Sequence, residues 1–369
     1  MEKGVSKKEV SKDDFIKWFS ELNKDSVPLV GGKGANLAEI YNMNISVPPG
    51  FIVTTRSYDY FIKKAGIDKK IKSILSKIDF ENTKNLDEAT QKIRDLIVKS
   101  KMPYEVEEEI LESYENLGAE ISGAEDIEEI LSNPSEEVFV AVRSSATTED
   151  LAGASFAGQQ DTFINVKGKT ELIESVKKCI ASLFTSRAVY YRNKKNFKQD
   201  SAKLAVVVQK MVESDKSGVV FSKDPSYKNN HVIIEAVFGF GEGIVSGEII
   251  PDRYTVSEKF RILDKEIADK KTAILKNSEG HKVKRNLSPE KSKSQVLKDS
   301  EVINLAEIAL KLERHYRKPQ DIEFAIEKDE IYIVQTRAIT TIGTRIEKQK
   351  GEIKGEAILM VWRLPRESA

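Results

Sequence analysis

One cysteine, three histidines and ten prolines are all that 369 residues supply of these types. A lone thiol cannot close a disulfide within the chain, which fits a reducing compartment and makes a cytoplasmic protein the expectation. Cys179 lies in the helical-looking "ELIESVKKCIASLFTSRAVYYRN" and reads as a buried core residue, with a catalytic thiol as the alternative. His231, His281 and His315 share no metal-ligand spacing and no Cys/His cluster accompanies them, which argues against a zinc site. Neither sign of charge is in excess, with 59 basic and 59 acidic residues, so the electrostatic footprint of a nucleic-acid binder is missing. Apolar runs such as "LAVVVQKMV" are too short to cross a bilayer, and the charged "MEKGVSKKEVSKDDF" has no signal core. Neither nucleic acid nor membrane is an expected partner.

What is present reads as globular and mixed in secondary structure. Residues 14 to 23 look like a short amphipathic segment, and "VPLVGGKGANLAEIYNMNISVPPGFIVTT" like a Gly turn, a helix from about Asn36 and a proline-bounded strand. Residues 56–132 carry helical periodicity, "EVFVAV" is strand-like, and a long helix is expected over about 170–195. From Leu204 strands dominate. A Lys-rich, exposed excursion is expected over 258–296, then a helix at about 299–315. The change from helices to strands suggests lobes of 1–203 and 204–342, with 343–369 as a linker or tail. The fold class expected is α+β.

The strand pair "DIEFAIEKDEIYIVQTR" carries the clearest chemistry. Asp321 and Glu323 are two residues apart, so a strand presents both on one face, and Gln335 and Arg337 share a face by the same rule. With Lys328, Asp329 and Glu330 taken as a three-residue loop, Glu323 stands opposite Gln335 and Asp321 opposite Arg337. Two carboxylates and an amide oxygen suit Mg²⁺, and the guanidinium suits phosphate. A solvated salt-bridge face is the alternative.

"VRSSATTEDLAGASFAGQQDTFINV" sets many small and hydroxylated residues beside Arg143. A loop that cradles phosphates needs close backbone approach, which Gly153, Ala154, Ser155, Ala157 and Gly158 would permit, with Arg143, Ser145 and Thr147 flanking it. An ordinary surface loop reads equally well. "VGGKGANLAEI" is not a Walker A loop, because Gly34 follows Lys33, yet Lys33 could reach an anion at a helix start. "FGFGEGIVSGE" is weak as a Rossmann signal, lacking a clear βαβ unit.

These segments, with "QKMV…SGVVFSKDP" and "EAVFGFGEGIVSGEIIPDRY", occur in the order of one family. From about residue 15 to 342 the chain resembles the N-terminal ATP-binding region of phosphoenolpyruvate synthases (pyruvate, water dikinases), related to pyruvate, phosphate dikinases and rifampicin phosphotransferases. The resemblance implies an ATP-grasp fold whose two lobes close on Mg-ATP. It implies that Lys33, Arg143 and Arg337 contact phosphates and that the Thr147–Gly158 region is the phosphate loop. It sets Gln209, Lys210, Met211, Val212 and Glu213 near the adenine. Glu323 and Gln335 would hold Mg²⁺, with Asp321 in support.

In that family ATP passes a phosphoryl group, through a pyrophosphoryl step, to a histidine on a swivelling domain and then to pyruvate. Catalysis at such an ATP site is positioning and charge stabilisation. No histidine here lies in a phosphohistidine context, so a partner chain carrying the phosphohistidine and pyruvate-binding domains is one expectation. Another is a frameshifted synthase: read from the third base of the Met360 codon, "MVWRLPRES" can encode "GLAASPGI", a linker of the expected kind. The alternatives are the ATP domain of an antibiotic phosphotransferase and a non-catalytic ATP-binding module.

Overall fold

The computed structural model describes residues 14–122, 137–147, 161–199, 202–226, 229–245, 247–277 and 282–339. The chain divides into two units, one formed by residues up to 42 and 49–211, the other by 43–48 and 212 onward.

The first unit is built on a five-stranded antiparallel sheet. Along the chain come β1 (Ile16–Trp18), α1 (Val27–Asn42), β2 (Gly50–Val53), α2 (Thr55–Lys64), α3 (Asp68–Leu75), α4 (Thr83–Lys99), α5 (Tyr104–Ser122), β3 (Val140–Ala146), β4 (Thr162–Val166), α6 (Lys169–Ser182), α7 (Ser186–Lys194) and β5 (Leu204–Lys210). The strand order is β1-β2-β5-β3-β4. Residues 16–18, expected as part of an amphipathic segment, pair with β2 as a short edge strand. The expected long helix over 170–195 is two helices, because Thr185 turns and caps the second through its hydroxyl, which accepts from the Ala188 N–H.

Helices lie on both faces of this sheet. On one, Val140, Val142, Val206 and Val208 pack with Ile93, Ile97, Ile110, Leu172, Val176 and Ile180. Cys179 belongs to this core and is fully buried, and burial pushes its thiol far above the usual range. A protonated thiol in an apolar core is a packing residue and a poor nucleophile. On the other face α1 lies against β3 and β5. Both faces of β3 are therefore covered, and every residue of the strand is buried, Arg143 and two serines included.

The second unit holds a six-stranded antiparallel sheet of order β13-β12-β6-β7-β8-β9. Its elements are β6 (Lys216–Phe221), β7 (Val232–Phe238), α8 (Glu242–Val245), β8 (Asp252–Val256), β9 (Ile262–Glu266), β10 (Thr272–Lys276), β11 (Lys282–Asn286), α9 (Pro289–Lys293), α10 (Asp299–Tyr316), β12 (Gln320–Glu327) and β13 (Glu330–Ala338). Helix α10 packs on β6, β7, β8 and β12. The core at this interface comprises Val302, Leu305, Ala309 and Leu312 with Ile322, Phe324, Ile326, Val220 and Ile234, all at most 2% exposed.

The expected excursion over 258–296 is more integrated than its lysines suggest. Lys270 is fully buried and pairs with Asp252, whose carboxylate also accepts from the backbone of Ala268 (2.9 Å) and Val296 (2.8 Å). One buried acid thereby ties β8 to the interior of the excursion and to its C-terminal end. The Gly-rich turn is also structural. Gly239 has φ +74°, and a Cβ there would meet the Ile274 carbonyl oxygen at 2.0 Å where β10 crosses. Since β7 and β8 are antiparallel neighbours, the turn is not the crossover of a Rossmann unit.

Candidate functional site

In the first unit the residues singled out by sequence meet where α1 docks on β3. The helix begins earlier than Asn36: it runs from Val27 and breaks direction at Gly31, where φ is +69° and ψ 175°. From Gly32 a regular segment continues, with Lys33 in its first turn. The break lets the chain touch β3. Ser145 Oγ donates to the Val30 carbonyl (2.7 Å) and accepts from the Gly34 N–H (3.0 Å). Lys33 Nζ donates to the Ser144 carbonyl (3.0 Å). Arg143 shares a face of β3 with Ser145, and the register sets Gln209 of β5 opposite Ala141 on that same face. A lysine, an arginine and an amide are thus gathered on the α1 side of the sheet, beside the N–H groups of a helix start. Such an arrangement suits an anion.

Not every predicted residue is equipped for that task. Ser145 is fully buried and its hydroxyl is committed to α1 as both donor and acceptor. Thr147 Oγ1 donates to the Lys203 carbonyl (3.3 Å), and its N–H does the same (3.1 Å). Both serve to hold the strand. Gly153, Ser155 and Gly158 lie outside the described residues. Lys210 N donates to Pro49 and Met211 N to Phe139, each at 2.9 Å, within the first unit. Val212 and Glu213 belong to the second unit, where the Glu213 carboxylate pairs with Lys276.

The second unit carries the hairpin. Glu323 pairs with Gln335 and Asp321 with Arg337, as the sequence parity expects. The loop differs. It is two residues, Lys328 and Asp329, both at positive φ (50° and 69°), and Glu327 pairs with Glu330. A shorter loop alone would shift the register by one residue. A bulge between Glu323 and Phe324 restores it, because Phe324 pairs with Ile333 while Glu323 pairs with Gln335, leaving Val334 as the extra residue. Asp321 Oδ2 accepts from Arg337 Nε (2.9 Å) and Nη2 (2.8 Å). This fixes the guanidinium on the face that bears Glu323 and Gln335, and it engages Asp321 with the arginine. Glu323 and Gln335 then offer two hard oxygen donors side by side. Two protein oxygens fit Mg²⁺, which keeps waters and takes further ligands from phosphates. Among the described residues no three His, Cys, Asp or Glu side chains cluster closely enough to form an all-protein metal cage.

Sequence reasoning missed two residues on this face. Register carries the row onward from Gln335 and Glu323 through Val219 of β6 to Glu235 of β7 and Arg253 of β8. Burial pushes the Glu235 carboxyl above its usual range, with Arg253 pulling it back. The signal was a single acid inside the apolar run "HVIIEAVF".

Two antiparallel sheets, one with helices on both faces and one backed by a helix, bear phosphate- and metal-compatible side chains on single faces. This defines a mixed helix-and-sheet fold. The chain belongs to the pyruvate phosphate dikinase AMP/ATP-binding domain family, whose profile matches residues 27–357. It is 46% identical over 342 residues to a probable phosphoenolpyruvate synthase of Archaeoglobus fulgidus, covering 93% of this chain and 44% of that protein. It is 42% identical to the phosphoenolpyruvate synthase of Pyrococcus furiosus, covering 93% of this chain and 46% of the relative. Against the rifampicin phosphotransferase of Bacillus cereus the identity is 40%, covering 92% and 37%. The chain therefore spans less than half the length of these curated relatives. Among the described residues no helix is long and apolar enough to cross a membrane.

Proposed function

We propose that this chain is the Mg-ATP-binding part of a phosphoenolpyruvate synthase-type phosphotransferase. The observation that carries the reading is the hairpin: Glu323 opposite Gln335, with Arg337 held by Asp321 on the same face. In this reading the two units are the lobes of an ATP-grasp fold that closes on the nucleotide. Glu323 and Gln335 hold Mg²⁺, which supplies charge neutralisation for the phosphates when bound. Arg337, oriented by Asp321, donates to phosphate oxygens. Lys33 and Arg143 contribute two more cations at a helix start. Gln209 to Glu213 line the adenine end. No residue here has to form a covalent bond, because phosphoryl transfer asks the protein for positioning and charge stabilisation.

The acceptor belongs to sequence that the longer relatives have in addition. A phosphohistidine domain and then pyruvate are the acceptors proposed, in cis or on a partner chain. The match to a rifampicin phosphotransferase supports the ATP domain of an antibiotic phosphotransferase as the second reading. Calorimetric titration with Mg-ATP tests the site itself. Saturable binding is expected, weakened at least tenfold by Glu323→Ala and by Arg337→Ala. A folded wild-type chain that binds no Mg-ATP would refute the reading.

A further inference from the structure

We propose that the ligand face of the second unit extends past Val219 to Glu235 and Arg253, and that Arg253 is a further cation for the nucleotide's phosphate chain. The inference rests on the reading above and adds a residue to it.

Strand register supplies the first observation. Paired residues of a sheet share a face, so Gln335, Glu323, Val219, Glu235 and Arg253 form one row across five adjacent strands. The opposite face is the one sealed by α10, with Ile322, Val220, Ile234 and Tyr254 at most 1% exposed. At about 4.8 Å per strand, the Arg253 backbone lies about 14 Å from that of Glu323, a gap that two long side chains and a phosphate chain together bridge.

The second observation is the state of the guanidinium. Arg253 Nη1 lies 3.9 Å from Glu235 Oε1, an ion pair without a hydrogen bond. Among the described residues the Arg253 side chain donates no hydrogen bond, and 37% of it is exposed. The guanidinium is therefore partly exposed, with donors left for a ligand, on the face where phosphates are proposed to lie. Its other neighbour in the row, Glu266 of β9, is exposed. Arg337 is held in a related way, by an acid on the adjacent strand of the same face, but there two donors are already used. Glu235 is the more enclosed member of its pair, and burial disfavours its charge. It keeps the arginine extended over the sheet without consuming its donors.

The ligand class follows from the donor. A planar guanidinium presents paired N–H groups that match phosphate oxygens, and the interaction grows with the number of phosphates. Val219, half-buried between the two acids, leaves an apolar gap over which a ligand passes.

The test is calorimetric titration of wild type, Arg253→Ala, Arg253→Lys and Arg337→Ala with Mg-ATP and with adenosine. Arg253→Ala is expected to weaken Mg-ATP at least tenfold and adenosine less than twofold, with Arg253→Lys intermediate for Mg-ATP. If Arg337→Ala weakens Mg-ATP while Arg253→Ala binds it within twofold of wild type, the extension is wrong and the functional reading stands. Equal loss of adenosine and Mg-ATP in folded Arg253 variants would also overturn it, since the residue would then not act on the phosphates. A folded wild type that binds neither ligand defeats the functional reading and the extension with it.

Discussion

Gly31 shows how much a single missing Cβ can decide. An alanine there would set its Cβ 2.2 Å from the Ser145 carbonyl oxygen and 2.4 Å from its hydroxyl, with backbone held at φ +69°. Neither the strand nor the helix start can yield cheaply, because Ser145 is hydrogen-bonded to both Val30 and Gly34. Gly31→Ala is expected to cost about 2 kcal/mol or more, from backbone strain and the broken Ser145 contacts together. Urea unfolding measures it, and Mg-ATP affinity should fall in parallel as Lys33 moves away from β3. The glycines of "VGGKG" were legible in sequence as punctuation. Their partner was not, since Ser145 lies more than a hundred residues away and no local pattern joins the two. Ser145 itself was read as a phosphate-side hydroxyl, and its geometry commits it to the helix. Glu235 and Arg253 escaped notice for a related reason: only strand order across the sheet brings them level with Glu323.

At the level of elements the hairpin of β12 and β13 is the most instructive. Its face pairing was legible because strand periodicity is two and the charged residues are spaced by two. The loop length was not. A two-residue turn with both residues at positive φ is the type I′ geometry, for which Asn-Gly is the usual signal, and "KD" carries none. The bulge at Val334 then offsets the shorter loop, so that a three-residue loop with a regular ladder and a two-residue loop with a bulge predict the same pairs near the metal-compatible end. Lys328 adopts φ 50°, which costs a lysine more than an asparagine. Lys328→Asn is expected to stabilise the protein by about 0.5–1 kcal/mol. A rise in Tm with unchanged Mg-ATP affinity checks this; a fall in Tm would mean that the lysine stem packs usefully at the turn.

For the whole molecule, ligand linkage is the sharpest handle. A ligand that binds only the folded chain stabilises it by mass action, about 2.7 kcal/mol at a hundredfold excess over Kd. Thermal melts should therefore shift upward with Mg-ATP in proportion to the logarithm of its concentration, and EDTA should cancel most of the shift. A shift of equal size with adenosine would remove the metal and the phosphates from the account. The division of the chain has a consequence of a different kind. Residues 43–48 belong to the second unit, where the Ser46 carbonyl accepts from the Ile333 N–H (2.8 Å) and the Met43 carbonyl from Lys311 Nζ (3.0 Å). The ribosome makes this short segment early and its partners late. At roughly 5–20 residues per second, Ser46 waits on the order of 15–60 s for Ile333 to emerge. During that interval the first unit has all its strands through β5 and can fold around a loop whose own sheet does not yet exist. A second unit made from a message that begins at Val212 would lack residues 43–48, and with them the carbonyls that accept from the Ile333 N–H and from Lys311 Nζ.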